Sequence, residues 1–180
     1  MPSQDKVPGE AGGAILVTGG SSGVGLGCTR HLAAAGLPVI VACRDLEGAA
    51  KAIGTITDET GNRDLRVVPL DLASLGSVRK LVQNLLQEGV RLRALVCNAG
   101  LQLAREIAFT EEGLELTFGV NHLGHFLLAN LLIEHLVANA PTRILVVSSG
   151  VHDPALRTGM PNPDYTDFES LSRLGTPEEV

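Results

Sequence analysis

The chain has 180 residues, enough for one domain with a buried core. Hydrophobic residues make up 44% of it, which suits a parallel sheet covered by helices. A net charge of −6 with no basic run argues against a nucleic-acid-binding face.

Cys28, Cys43 and Cys97 are an odd number with no C-x-x-C pair. Free thiols in a reducing compartment are expected, rather than a disulfide framework or a zinc site. The longest apolar run, Phe126 to Val137, is broken by Asn130, Glu134 and His135, so no membrane span is expected. Residues 1–13 are polar and rich in Gly and Pro. They lack the apolar core of a signal peptide and the Arg-rich character of a transit peptide, and are read as a disordered lead-in to a cytoplasmic protein.

The first element is the apolar run Ala14-Ile15-Leu16-Val17, a short buried strand. Thr18-Gly19-Gly20-Ser21-Ser22-Gly23-Val24-Gly25 follows, and then a helix predicted over 26–37 and closed by Gly36, with Leu26, Leu32 and Ala33 inward. Strand, glycine-rich turn and helix form the context of a phosphate-binding turn. The candidates in it are Thr18, Gly19, Ser21, Ser22, Gly23, Val24 and Gly25. A Walker loop is excluded, because Leu26-Gly27 stand where Lys and Ser/Thr are needed. Gly19-x-Ser21-x-Gly23 formally matches a hydrolase nucleophile elbow, but here it follows the first strand instead of an established sheet. A structural turn without ligand is the third reading.

Val39-Ile40-Val41-Ala42 is the second strand, completing a β-α-β unit. Cys43-Arg44-Asp45 lies at its carboxyl end, where such folds meet the adenosine ribose. Cys43 is neutral and Arg44 suits a phosphate, which favours NADP(H) over NAD(H). Asp45 is read as the N-cap of the next helix, 46–60, with an acid for the ribose as the alternative. Glu47 and Lys51 form an i,i+4 pair on that helix. Leu65 to Leu70 is the third strand, ending at Asp71-Leu72, where a carboxylate can accept from an adenine amino group. Ser74 caps a helix whose Val78, Leu81, Val82, Leu85 and Leu86 share one face, ended by Gly89.

Leu92 to Cys97 is the fourth strand, followed by the small residues Asn98-Ala99-Gly100, which let backbone pass close to a ribose and nicotinamide. Thr110, with Glu111 and Glu112, is read as the cap of a long helix running to about Asn139, before Pro141. Asn121 sits in its middle, where its amide is expected to bind water in place of a helix bond and bend the helix. His122 and His125 are i,i+3 without an acidic or Cys partner nearby, so no metal is expected. Arg143 to Val147 is the fifth strand, leading to Ser148-Ser149-Gly150. Ser149, His152 and Asp153 are too close in sequence for a relay triad. Residues 151–180 carry four prolines and read as a loop or lid.

Thr18-Gly19…Gly23-x-Gly25, Asp71-Leu72, Asn98-Ala99-Gly100, Asn121 and Ser148-Ser149, in that order, resemble the short-chain dehydrogenase/reductase family over residues 14–150. The runs Ala42 to Glu47, Leu70 to Leu75 and Asn121 to Leu128 are similar to its NADPH-dependent branch, which contains retinol dehydrogenases and light-dependent protochlorophyllide reductase. The resemblance implies an α/β, Rossmann-like, doubly wound parallel sheet. It implies hydride transfer between nicotinamide and a carbonyl, alcohol or activated double bond. It makes Ser149 the serine that orients the substrate carbonyl, Asn121 the holder of a proton-relay water and Arg44 the partner of the 2′-phosphate. It also implies a homodimer of the full-length protein, paired through the long helix and the one after it.

The family's Tyr-x-x-x-Lys pair is missing. Tyr165 is the only tyrosine, Glu169 is its fourth neighbour, and no lysine follows Lys80. The expectation is a chain cut after its fifth strand, with that strand poorly covered, a marginal or association-prone fold and little turnover. A non-catalytic nucleotide-binding module is the alternative.

Overall fold

The computed structural model describes residues 12–103, 107–150 and 155. The expectations for residues 1–11, for the lid at 151–180 (Ala155 excepted), and for His152, Asp153, Tyr165 and Glu169 lie outside them.

Five parallel strands form one sheet in the order β3-β2-β1-β4-β5. They are β1 (Ala14–Thr18), β2 (Val39–Cys43), β3 (Leu65–Pro69), β4 (Leu92–Cys97) and β5 (Arg143–Val146). Each is a short apolar run with helices or turns on either side, and side chains alternate between the two faces. Ile15, Val17, Val39, Val41, Ala94 and Val96 point to one face, with Ala49. That layer is covered by α1 (Gly23–Ala34) and α2 (Leu46–Thr60). Leu16, Ile40, Leu92 and Leu95 point to the other, where Val78, Leu81 and Leu85 of α3 (Leu75–Gln87) meet Leu128, Leu132 and Leu136 of α5 (Gly124–Ala138). This is a doubly wound Rossmann-like sheet, and its order reverses between β1 and β4.

Several boundaries differ from the sequence reading. Helix α1 begins at Gly23, three residues early, because the turn's last glycines already take helical hydrogen bonds. Its inward residues are Gly25, Thr29 and Ala33, with Leu26 and Leu32 half-buried. Leu86 is 44% exposed, off the buried stripe of α3.

The long helix does not start at Thr110. Gly113, at φ 76°, closes a turn over 110–113, and Phe109 bridges Glu115. Glu115 is the cap: its carboxylate accepts from Thr117 N at 2.8 Å and Phe118 N at 2.6 Å. Helix α4 (Leu116–Phe118) then passes into a π turn over Gly119–Leu123 before α5. Leu116–Ala138 is one helical run long and apolar enough, by length and composition, to cross a membrane. The expectation of no such run took Asn130, Glu134 and His135 as breaks, yet they sit on one helix without interrupting it. Here the run packs against α3 and β4. Strand β5 is exposed at every residue, Val146 at 71%.

Candidate cofactor cleft and active site

A cleft of about 930 Å³ opens at the carboxyl ends of the strands, across the reversal point. Gly19, Ser21, Ser22, Gly23, Val24 and Gly25 line one side of it. Arg44 with Cys43 and Asp45, Asp71 with Leu72, and Asn98-Ala99-Gly100 line the rest. Thr18, Asn121 and Ser149 do not line it. Ala42, Gly48, Leu70, Leu101 and Val120 also do, and the sequence reading did not make them site residues. Each neighbours a named residue at a strand end or faces it from a helix start, the one signal that would have found them.

The turn is built for close approach. Gly19 has φ 64°, and a Cβ there would meet Ala99 at 3.0 Å. A Cβ on Gly25 would run into Gly19 O and lie 2.5 Å from Asn98 Nδ2. The turn after β1 therefore rests directly on the turn after β4. Asn98 ties them, its Nδ2 donating to Thr18 O at 3.0 Å. Beneath the turn, Thr18 is fully buried, and its hydroxyl accepts from Asn98 N at 2.9 Å and Ala99 N at 3.0 Å.

The three helix starts along the cleft differ. Asp45 caps α2, accepting from Gly48 N at 2.9 Å, and Ser74 caps α3, accepting from Ser77 N at 3.3 Å. Ser22 gives α1 no side-chain cap. The first N–H groups of α1 thus face the cleft without a side-chain acceptor, a positive end suited to an anion. A glycine turn that excludes side chains and an uncapped helix start fit a dinucleotide pyrophosphate. Arg44 is exposed at the end of β2, next to Cys43. Burial pushes the Cys43 thiol up, partly offset by a hydrogen bond with Ser21, so it is neutral near pH 7. Asp71 is half-buried, and its Oδ1 accepts from Ala73 N at 2.9 Å.

The amide of Asn121 does not stand free for water. Its Oδ1 accepts from Leu101 N, and its Nδ2 donates to Leu101 O, both at 2.8 Å. The helix takes up the strain as a π turn instead of a broken bond. Ser149 lies in the exposed segment after β5, where Val147 N still donates to Cys97 O at 2.9 Å. His122 stacks between Phe118 and Phe126, at centroid distances of 5.2 and 6.1 Å. His125 is buried, with Nε2 2.8 Å from the Thr18 hydroxyl. Among the described residues no group of His, Cys, Asp and Glu is placed to hold a metal.

The chain resembles known proteins over most of its length. A short chain dehydrogenase family model matches residues 13–158. Human retinol dehydrogenase 13 is 42% identical over 151 residues, covering 84% of this chain and 44% of that protein. Cucumis sativus chloroplastic protochlorophyllide reductase is 47% identical over 146 residues, covering 77% of this chain and 35% of that protein. The chain thus spans less than half the length of these relatives. Among solved structures, the NADP active-site complex of Pseudomonas aeruginosa RhlG superposes with a TM-score of 0.62 at 32% identity, over 74% of this chain and 53% of that one.

Proposed function

Because the chain belongs to the short chain dehydrogenase family, we propose that its cleft holds NADP(H) and serves a carbonyl, alcohol or activated alkene substrate. When bound, the cofactor supplies hydride transfer. The observation that carries the reading is the uncapped start of α1, set on a turn too tight for side chains. The N–H groups of Gly23, Val24 and Gly25 bind the pyrophosphate, with Ser21 and Ser22 beside them. Arg44 makes charge-assisted bonds to the 2′-phosphate, where a carboxylate would repel it. Asp71 and Leu72 border the adenine, while Asn98, Ala99 and Gly100 border the nicotinamide ribose. Ser149 orients the substrate oxygen, and Asn121 fixes Leu101 beside the cleft. The full-length protein pairs through the long helix.

NADPH and NADH fluorescence titrations test the reading. NADPH is expected to bind more tightly, and Arg44→Ala to weaken NADPH at least ~10-fold while sparing NADH. Equal affinities for the two cofactors, untouched by Arg44→Ala, would refute it. The second reading is a module that binds NADP(H) without turnover. NADPH oxidation against a carbonyl panel by the native full-length protein separates the two.

A further inference from the structure

The buried pair Thr18–His125 spans 107 positions in sequence and joins the end of β1 to the first turn of α5. A hydroxyl has one hydrogen and two acceptor lone pairs. Thr18 Oγ1 already accepts from Asn98 N at 2.9 Å and from Ala99 N at 3.0 Å, which fills both pairs. Its hydrogen therefore goes out, to His125 Nε2 at 2.8 Å in preference to Val96 O at 3.3 Å. A proton on Nε2 would face an oxygen with no lone pair left. Nε2 is thus bare, and the ring's proton sits on Nδ1, which donates to Asn121 O at 3.2 Å. Burial, the largest influence, favours the neutral ring and holds the imidazole below its usual pKa, although the hydrogen bond to Asn121 O favours the charged form.

These bonds close a ring. Thr18 holds Asn98 and Ala99, and Leu101, two residues on, is held on both backbone groups by the amide of Asn121. The backbone carbonyl of Asn121 then accepts from His125, which accepts in turn from Thr18. We infer that His125, as the neutral Nδ1–H tautomer, is a positioning residue that locks the glycine turn, the Asn98–Leu101 wall and Asn121 into one rigid frame for the cofactor. The inference rests on the cleft being the NADP(H) site.

Two measurements on the whole chain test it. Long-range ¹H–¹⁵N spectra should place His125 Nε2 in the unprotonated range and Nδ1 in the protonated range. The Nε2–H tautomer, or an imidazolium at neutral pH, overturns the inference. NADP⁺ titration of His125→Phe, which keeps the ring's bulk but neither bond, should show Kd raised about tenfold, the loss of ~1.4 kcal/mol. His125→Gln, whose amide oxygen can still accept from Thr18, should recover most of that loss. His125→Phe binding like the parent removes this inference alone. No NADP⁺ binding by the parent removes the cofactor reading and this inference with it. Should His125→Phe fail to fold, the tautomer spectrum of the unsubstituted chain decides.

Discussion

Gly25 and Gly27 lie two residues apart in α1, and the structure assigns them opposite responses to the same added methyl. A Cβ on Gly25 has nowhere to go: Gly19 O overlaps it, Gly19 C is 2.9 Å away and Asn98 Nδ2 is 2.5 Å away. The first two of these are backbone atoms of the turn and cannot rotate aside. Relief requires the turn to move off the helix, an overpacking cost of about 1–3 kcal/mol. It also displaces the Asn98 amide from Thr18 O and Gly19 O, now at 3.0 and 3.4 Å, worth about 1 kcal/mol in all. Alanine's helix preference returns about 1 kcal/mol. The net expectation for Gly25→Ala is a loss of about 2 kcal/mol. At Gly27 no atom lies within 4 Å of the added carbon, so Gly27→Ala should gain roughly 0.5–1 kcal/mol. Urea unfolding followed by far-UV circular dichroism reads both, with unchanged m values as the check on comparability. NADP⁺ titration should show binding lost in Gly25→Ala and kept in Gly27→Ala. A Gly25→Ala stability within ~0.5 kcal/mol of the parent, the scale of a neutral surface change, would refute the claim that the turn is closed to side chains.

His125 has a folded pKa below its ordinary 6.5, so between the two values the unfolded chain binds more protons than the folded one. Stability should be full above pH 6.5 and fall as pH drops through the folded pKa; His125→Gln should flatten that fall, and an unchanged slope of Tm against pH would count against it. Burial pushes the Glu115 carboxyl up, but bonds from Phe118 and Thr117 outweigh it, leaving the pKa below 4.5. Glu115→Ala should therefore cost ~1 kcal/mol above pH 4.5, with the difference from the parent closing as pH falls through the carboxyl's lowered pKa. A difference that stays constant with pH would show that the carboxylate is not the cap. Burial pushes Cys97 up to about 11, while Cys28 is the least buried thiol. Iodoacetamide with mass spectrometry should label Cys28 first and Cys97 last, and early labelling of Cys97 would mean that β4 opens.

The strands were legible because each is a short apolar run fenced by turn residues, a signal that survives without tertiary information. The cleft's glycines and strand-end residues were legible for the same reason, since the sheet's geometry brings carboxyl ends together wherever the runs are parallel. Helix starts were harder. Gly23 at φ 51° belongs to the turn by conformation and to α1 by hydrogen bonding, so the sequence offers no single boundary. Thr110 with Glu111 and Glu112 carries a strong cap pattern, but Gly113 turns the chain before a helix can form, and Glu115 takes the role. Leu86 fits the helical period of α3 yet lies beyond the reach of its neighbours. The tie between Thr18 and His125 had no local signature, because its partners meet only once the sheet has formed.

The π turn at Gly119–Leu123 is a phase shift of one residue inside a helix. An extra residue turns everything beyond it by about 100°. That rotation lets two segments with different obligations share one rod. Within it, Gly119 and Val120 are buried, while Asn121 is turned outward to grip Leu101. Ahead of it, Leu128, Leu132 and Leu136 run down the core at a spacing of four. Deleting any residue of the turn would restore a regular helix and put the two segments out of register. The core stripe and the grip on Leu101 could then no longer be kept together. The helix would be locally better and the cleft would lose its wall, so length at this point is constrained more tightly than residue identity.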